Sequence, residues 1–194
     1  CQDCPINTFS NIINAKTKSS CLVCSNGKYS VTGSFQCTNC EAGKYKTSTL
    51  PSCTNCPSGK YQSITGSSVC KSVDAGFCMS SIGSTKQDQC PAGNTCAAGC
   101  GTTIIKPIKC IAGKYSNSGS TTCTTCDAGK SSSVDNSGCI NCEAGKIADA
   151  GSGSCTPCDL GYYLDVTGGV KCKACVAGTY AATTGNNKCS SCPE

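Results

Sequence analysis

Cysteine is the one residue type in this chain that is plentiful enough to carry chemistry. The 194 residues hold 24 cysteines, no His, no Trp and one Met. Eighteen of the cysteines fall in nine Cys-x-x-Cys pairs: Cys1/Cys4, Cys21/Cys24, Cys37/Cys40, Cys53/Cys56, Cys123/Cys126, Cys139/Cys142, Cys155/Cys158, Cys172/Cys175 and Cys189/Cys192. Such a pair can hold half of a Cys4 zinc site, run dithiol redox chemistry, or staple the backbone. Zinc fits poorly: beyond the longer first gap, the gaps between pairs within a run are 12 or 13 residues, shorter than the usual ribbon spacing, and an odd number of pairs leaves one without a mate. A reactive dithiol usually opens a helix beside a βαβ pattern, which is missing here. Without His, no Cys/His or Ser/His catalytic arrangement exists, and the carboxylates are few and scattered. The composition names no cofactor and no metal, and the chain reads as non-enzymatic. That leaves the staple.

The elements that would place those staples are small. Phe and Tyr total ten and only 14% of residues are charged, so the chain cannot bury one large core. Crosslinks must supply the order, and dense disulfides imply an oxidising, extracellular setting. The chain starts at Cys1 without a hydrophobic leader and has no apolar run of bilayer length. It reads as a mature secreted segment or as part of a longer ectodomain. The net charge of +5 forms no basic block, which argues against nucleic acid. No Asn-x-Ser/Thr sequon occurs, so any glycans are expected to be O-linked on the Ser/Thr-rich surface.

From Cys21 on, the pairs within each run repeat every 16 or 17 residues. After the second cysteine comes x-x-Gly, at Gly27, Gly43, Gly59, Gly113, Gly129, Gly145, Gly161 and Gly178, and two residues further an aromatic at Tyr29, Tyr45, Tyr61, Tyr115, Tyr163 and Tyr180. The first repeat has Asn7 for Gly and Phe9 for Tyr. Asn also tolerates φ > 0, which marks this as a left-handed backbone position. Turn signals such as TGSF, SGST and TGGV precede each next cysteine, and no stretch shows a 3.6-residue apolar period. The expected fold is a linear array of short, disulfide-rich β-hairpins with almost no helix, forming an elongated rod in which each repeat touches its neighbours.

A hairpin this small needs a closure between its ends. The spacing suggests that the second cysteine of each pair bonds the first of the next: Cys4–Cys21, Cys24–Cys37, Cys40–Cys53, Cys56–Cys70, Cys110–Cys123, Cys126–Cys139, Cys142–Cys155, Cys158–Cys172 and Cys175–Cys189. Each closure is worth roughly 3 kcal/mol on the loop-entropy model. Cys1 and Cys192 are left over: as the cut ends of a longer array, for bonds between chains, or as free thiols, the first two together being favoured. The rhythm breaks in the middle, where Val73 stands at a cysteine position and Cys78, Cys90, Cys96 and Cys100 follow. Those four allow three pairings. Cys78–Cys90 with Cys96–Cys100 keeps simple loops, Cys78–Cys96 with Cys90–Cys100 interlocks them, and the sequence does not choose. Three regions result: N-terminal repeats over 1–70, an irregular module over 71–109 and C-terminal repeats over 110–194.

Two further patterns recur with the repeat. Lys28, Lys44, Lys60, Lys114, Lys130 and Lys146 would make a cationic ladder for acidic polysaccharide, or a solvated face partly offset by Glu41, Asp127 and Glu143 three residues earlier. The tyrosines are expected to cover the disulfide and glycine of an adjacent repeat.

The motif Cys-x-Ala-Gly-Lys-Tyr, as in CEAGKY and CIAGKY, followed by S/T-G-S and Cys-x-x-Cys, resembles the ephrin-receptor-like cysteine-rich repeat. It is also similar to the first submodule of tumour necrosis factor receptor repeats. Tandem arrays of this kind resemble ciliate and other protist surface proteins such as immobilisation antigens, with Giardia variant-specific surface proteins a more distant likeness. The resemblance implies an extracellular spacer, coat or receptor stalk. The expected role is a structural rod in a cell-surface coat, or the subunit of a filament that associates head to tail. The competing role is a receptor or adhesin ectodomain with a binding face over 70–110.

Overall fold

The computed structural model describes residues 3–12, 20–79, 81–100 and 106–193. These form eleven two-stranded antiparallel sheets and no α-helix. Most strands are two residues long, so the pleat alternates only once and leaves no period to read. In a typical repeat Lys44 pairs with Asn55 and Tyr45 with Thr54. The second strand is therefore the pair of residues between Cys53 and Cys56. What looks in sequence like a two-residue link between hairpins is the return strand of the hairpin itself.

Each hairpin opens on a turn that requires φ > 0. Gly43 has φ of 80°, and its carbonyl accepts from the Cys56 amide at 2.8 Å. Asn7 and Asn136 take the left-handed region at 63° and 59° without being glycine.

A two-stranded ribbon is marginal alone, and here the missing support comes from the next repeats. The Gly43 amide donates to the Gln62 carbonyl at 2.7 Å, and the Gly66 amide donates back to the Cys40 carbonyl at 2.7 Å. The same two bonds recur from Gly129 to Ala148 at 2.7 Å and from Gly151 to Cys126 at 2.8 Å. Packing also reaches the next repeat but one, further than the nearest-neighbour array expected from sequence. A Cβ on Gly43 would run into the carbonyl oxygen of Gly83, and one on Gly129 into that of Gly168. The glycine is thus fixed twice, by its dihedral and by a backbone about forty residues away that leaves no room for a methyl group.

The buried positions follow the same period. The second cysteine of most pairs is nearly inaccessible, as at Cys40, Cys56, Cys126 and Cys142, though Cys175 is half-buried and Cys192 exposed. In most repeats the sixth residue after that position is buried too, as Ser30, Lys46, Gln62, Met79, Cys96, Ser116, Ala148, Leu164 or Ala181, while Ser10 and Ser132 are half-buried. The core is a file of disulfides flanked by whatever residue stands at that sixth place.

The chain divides into two compact units, one of Cys1–Gln89 with Ala97–Lys106 and one of Cys90–Cys96 with Pro107–Glu194. Both units take residues from the segment 71–109. No helix among the described residues is long and apolar enough to cross a membrane.

Candidate functional site

The chemistry-bearing residues are the cysteines, and the structure brings them together as rings. A ring here runs from the second cysteine of one pair to the first of the next. Nine rings close this way: Cys4–Cys21, Cys24–Cys37, Cys40–Cys53, Cys56–Cys70, Cys110–Cys123, Cys126–Cys139, Cys142–Cys155, Cys158–Cys172 and Cys175–Cys189. Their Cα atoms lie 5.6 to 5.8 Å apart, within the ordinary range for disulfides. Cys192 is exposed and free. Cys1, the other cysteine left over by the sequence, lies outside the described residues, as do Ile104 and Ile105 of the apolar stretch GTTIIKPIK.

The centre follows different rules. Cys78 bonds Cys100 and Cys90 bonds Cys96, which is the nested pairing rather than the simple or the interlocked one. The repeat register explains it. Val73 occupies the opening position of a ring, and Gln87, three residues before Cys90, occupies its closing position. Both ends of one disulfide are therefore replaced together. Val73 is 2% exposed, and the loop is held instead by two hydrogen bonds. The Asp74 amide donates to Gln87 Oε1 at 2.9 Å, and Gln87 Nε2 donates to Asp74 Oδ2 at 2.7 Å. The next ring would run from Cys90 to residue 107, which is Pro107. Cys90 turns instead to Cys96, at the buried sixth place of its own repeat. Cys78 stands where other repeats carry tyrosine. It reaches Cys100 across a parallel bridge, where the Met79 amide donates to the Cys100 carbonyl at 3.2 Å.

The lysines divide into two kinds. Lys44 meets Glu41 at 2.8 Å, Lys146 meets Glu143 at 3.0 Å and Lys130 meets Asp127 at 3.9 Å. The Lys44 ammonium holds the Glu41 carboxyl below its usual range by hydrogen bond and charge, and Glu41 raises Lys44 in return. Lys28, Lys60 and Lys114 have Ser25, Pro57 and Ile111 where those acids stand. Charge along the ladder is thus interrupted by pairing. Tyr29 and Tyr115 are half-buried, and each borders a surface groove with the next repeat's lysine, acid and closing cysteine: Lys44, Glu41 and Cys53, or Lys130, Asp127 and Cys139.

The ring Cys40–Cys53 has no glycine before its closing cysteine, and another ring puts asparagine in the turn. In the ring Cys126–Cys139, Asn136 takes the turn position, and its Nδ2 reaches the Cys110 carbonyl, the bond that a glycine amide makes elsewhere. Asp135 beside it accepts on one oxygen, Oδ1, from the Ser133 hydroxyl at 2.6 Å and from the Ser137 hydroxyl and amide at 2.8 and 3.1 Å. Those donors lower its carboxyl to about 2.

Two features were missed from sequence. The buried sixth position carries Ser, Lys, Gln, Met, Cys, Ala and Leu, so no hydropathy pattern marks it. The loss of Gln87's cysteine could have been found by counting back three residues from Cys90, which shows that the Val73 departure has a partner.

The fold and its cysteines define an extracellular class of molecule: a tandem array of small disulfide-ringed β-hairpins. Within that class, residues 145–178 and 161–194 each match the family model of tyrosine-protein kinase ephrin type A/B receptor-like repeats. The repeats over 145–194 are thus similar to the cysteine-rich ephrin-receptor-like repeat. No curated protein matches the chain.

Proposed function

We propose that this protein is a non-enzymatic structural component of an extracellular coat or filament, built to keep its length and resist proteolysis. The observation that carries this reading is the covalent plan. Successive rings leave only two residues outside a disulfide at each regular junction, as with Thr38–Asn39 between Cys37 and Cys40. Self-association runs head to tail and uses the exposed thiol of Cys192, paired with Cys1 of another copy. The receptor or adhesin reading draws on the ephrin-receptor-like match, since that family's printed description is of a receptor.

Electrophoresis of native material without reductant separates the two. Covalent ladders that collapse to one band with reductant support the coat or filament. A sharp monomer in both lanes supports the receptor stalk and overturns our reading.

A further inference from the structure

A chain of closed rings transmits tension through its disulfides rather than around its loops. Each regular ring contributes only the 5.6 to 5.8 Å between its two Cα atoms to the shortest covalent path. Each regular junction contributes three peptide steps, and its middle residues are already in a strand, as at Thr54–Asn55 and Thr156–Pro157. A strand rises about 3.3 Å per residue, close to the limit for a stretched chain. Neither component has slack to release.

The centre differs. The covalent path takes eight peptide steps from Cys70 to Cys78, crosses to Cys100, and takes ten more to Cys110. The first of these stretches includes the turn at Gly76, with φ of 82°, so it is folded back rather than extended. The cysteine pair that would have locked it is replaced by Val73 and Gln87, joined only through side-chain hydrogen bonds to Asp74. Cys78–Cys100 then short-circuits everything between those residues, including the small ring Cys90–Cys96.

We propose that the segment 70–110 is the yield element of an otherwise inextensible tether, and that Cys78–Cys100 is its stop. Under tension the Val73 hairpin opens first, and extension ends when the path through Cys78–Cys100 is taut. That path spans about 65 Å from Cys70 to Cys110 at roughly 3.4 Å per step. The proposal deepens the structural reading given above, yet it concerns one chain and does not require chains to assemble.

The test is single-molecule pulling on the oxidised full chain, with handles at its two ends and free thiols blocked. The wild type is expected to release length once, in a step shorter than about 65 Å. Removing the stop with Cys78→Ser/Cys100→Ser lengthens the path by sixteen steps, so the release should grow by about 55 Å. Cys90→Ser/Cys96→Ser removes a ring that the path already bypasses, and the release should not change. If the first variant fails to refold, Cys56→Ser/Cys70→Ser serves instead, because opening a regular ring should add a second step of about 40 Å. A train of similar steps from the oxidised wild type, no step at all, or equal release with and without Cys78–Cys100 would overturn the proposal. A monomer on non-reducing electrophoresis that still gave the expected steps would leave it standing while the filament reading fell.

Discussion

The ring Cys126–Cys139 and the loop from Val73 to Gln87 occupy the same place in the repeat, and they are held together differently. The first is closed by a covalent bond, opens on Gly129 and lies under the carbonyl of Gly168. The second is closed by the Asp74–Gln87 hydrogen bonds and a buried valine. Yet both form a hairpin of the same register, with Ser131 opposite Ile140 in one and Cys78 opposite Asp88 in the other. The comparison separates two roles that are fused in every regular repeat. The disulfide limits how far a loop can open, while the glycine turn and the contacts from later repeats set the hairpin's shape.

The sharpest way to break this comparison is at the glycines. Gly129 and Gly99 have φ of 79° and 80°, but only Gly129 has a backbone carbonyl where a Cβ would go; Gly99 has nothing within 4 Å. Gly129→Ala should cost about 4 kcal/mol, from the strained dihedral and the overlap together. Gly99→Ala should cost about 1 kcal/mol, from the dihedral alone. Hydrogen exchange on the hairpin amides reads both, and equal losses would mean that the contact with the next repeat but one carries no weight.

The covalent half of the comparison comes next. Cys126→Ser/Cys139→Ser should destabilise its own ring by roughly 3 kcal/mol, with distant rings such as Cys24–Cys37 unaffected. The converse change, Val73→Cys/Gln87→Cys, should install the missing rung and raise local protection by up to roughly 3 kcal/mol. A new disulfide found by mass that joins residue 73 to any partner other than residue 87 would refute the register assigned to the centre.

The smallest effect belongs to pH. The Asp135 carboxyl is held down to about 2 by the Ser133 and Ser137 donors. A depressed carboxyl stabilises the folded turn above its unfolded value near 3.9, and that contribution is lost as pH falls through the folded value. Amide shifts of residues 133–138 should therefore move between about pH 4 and pH 2, and Asp135→Asn should abolish the movement. A turn that titrates identically in the variant would point to another group.

Much of this architecture is legible because glycine and cysteine carry their meaning in their spacing. Gly43 announces a left-handed turn, Asn7 in the same slot confirms the dihedral, and a hairpin array without helix follows. Other features were out of reach. Lys46, Gln62 and Leu164 are buried at one repeat position although nothing in their chemistry is shared. Their burial is imposed by neighbouring rings rather than by hydropathy. Contacts such as Gly27 under Gly66 depend on how successive repeats are rotated, and two-residue strands give no sign of that. The nested centre was undecided because four cysteines were counted without noticing that Gln87 fills a cysteine position.

Digestion with trypsin without reductant, on denatured protein with its free thiols blocked, tests the covalent plan most directly. Lys71, Lys109 and Lys173 lie outside every ring, and Lys106 is shielded by Pro107, whereas Lys28, Lys44, Lys46, Lys60, Lys86, Lys114, Lys130, Lys146, Lys171 and Lys188 lie inside one. The ring plan predicts disulfide-held clusters of residues 1–71 (less the cysteine-free dipeptides 17–18 and 45–46), 72–109, 110–173 and 174–194, which fall apart only on reduction. A fragment released by cleavage at Lys60 or Lys130, or a disulfide bridging any two of those clusters, would contradict it.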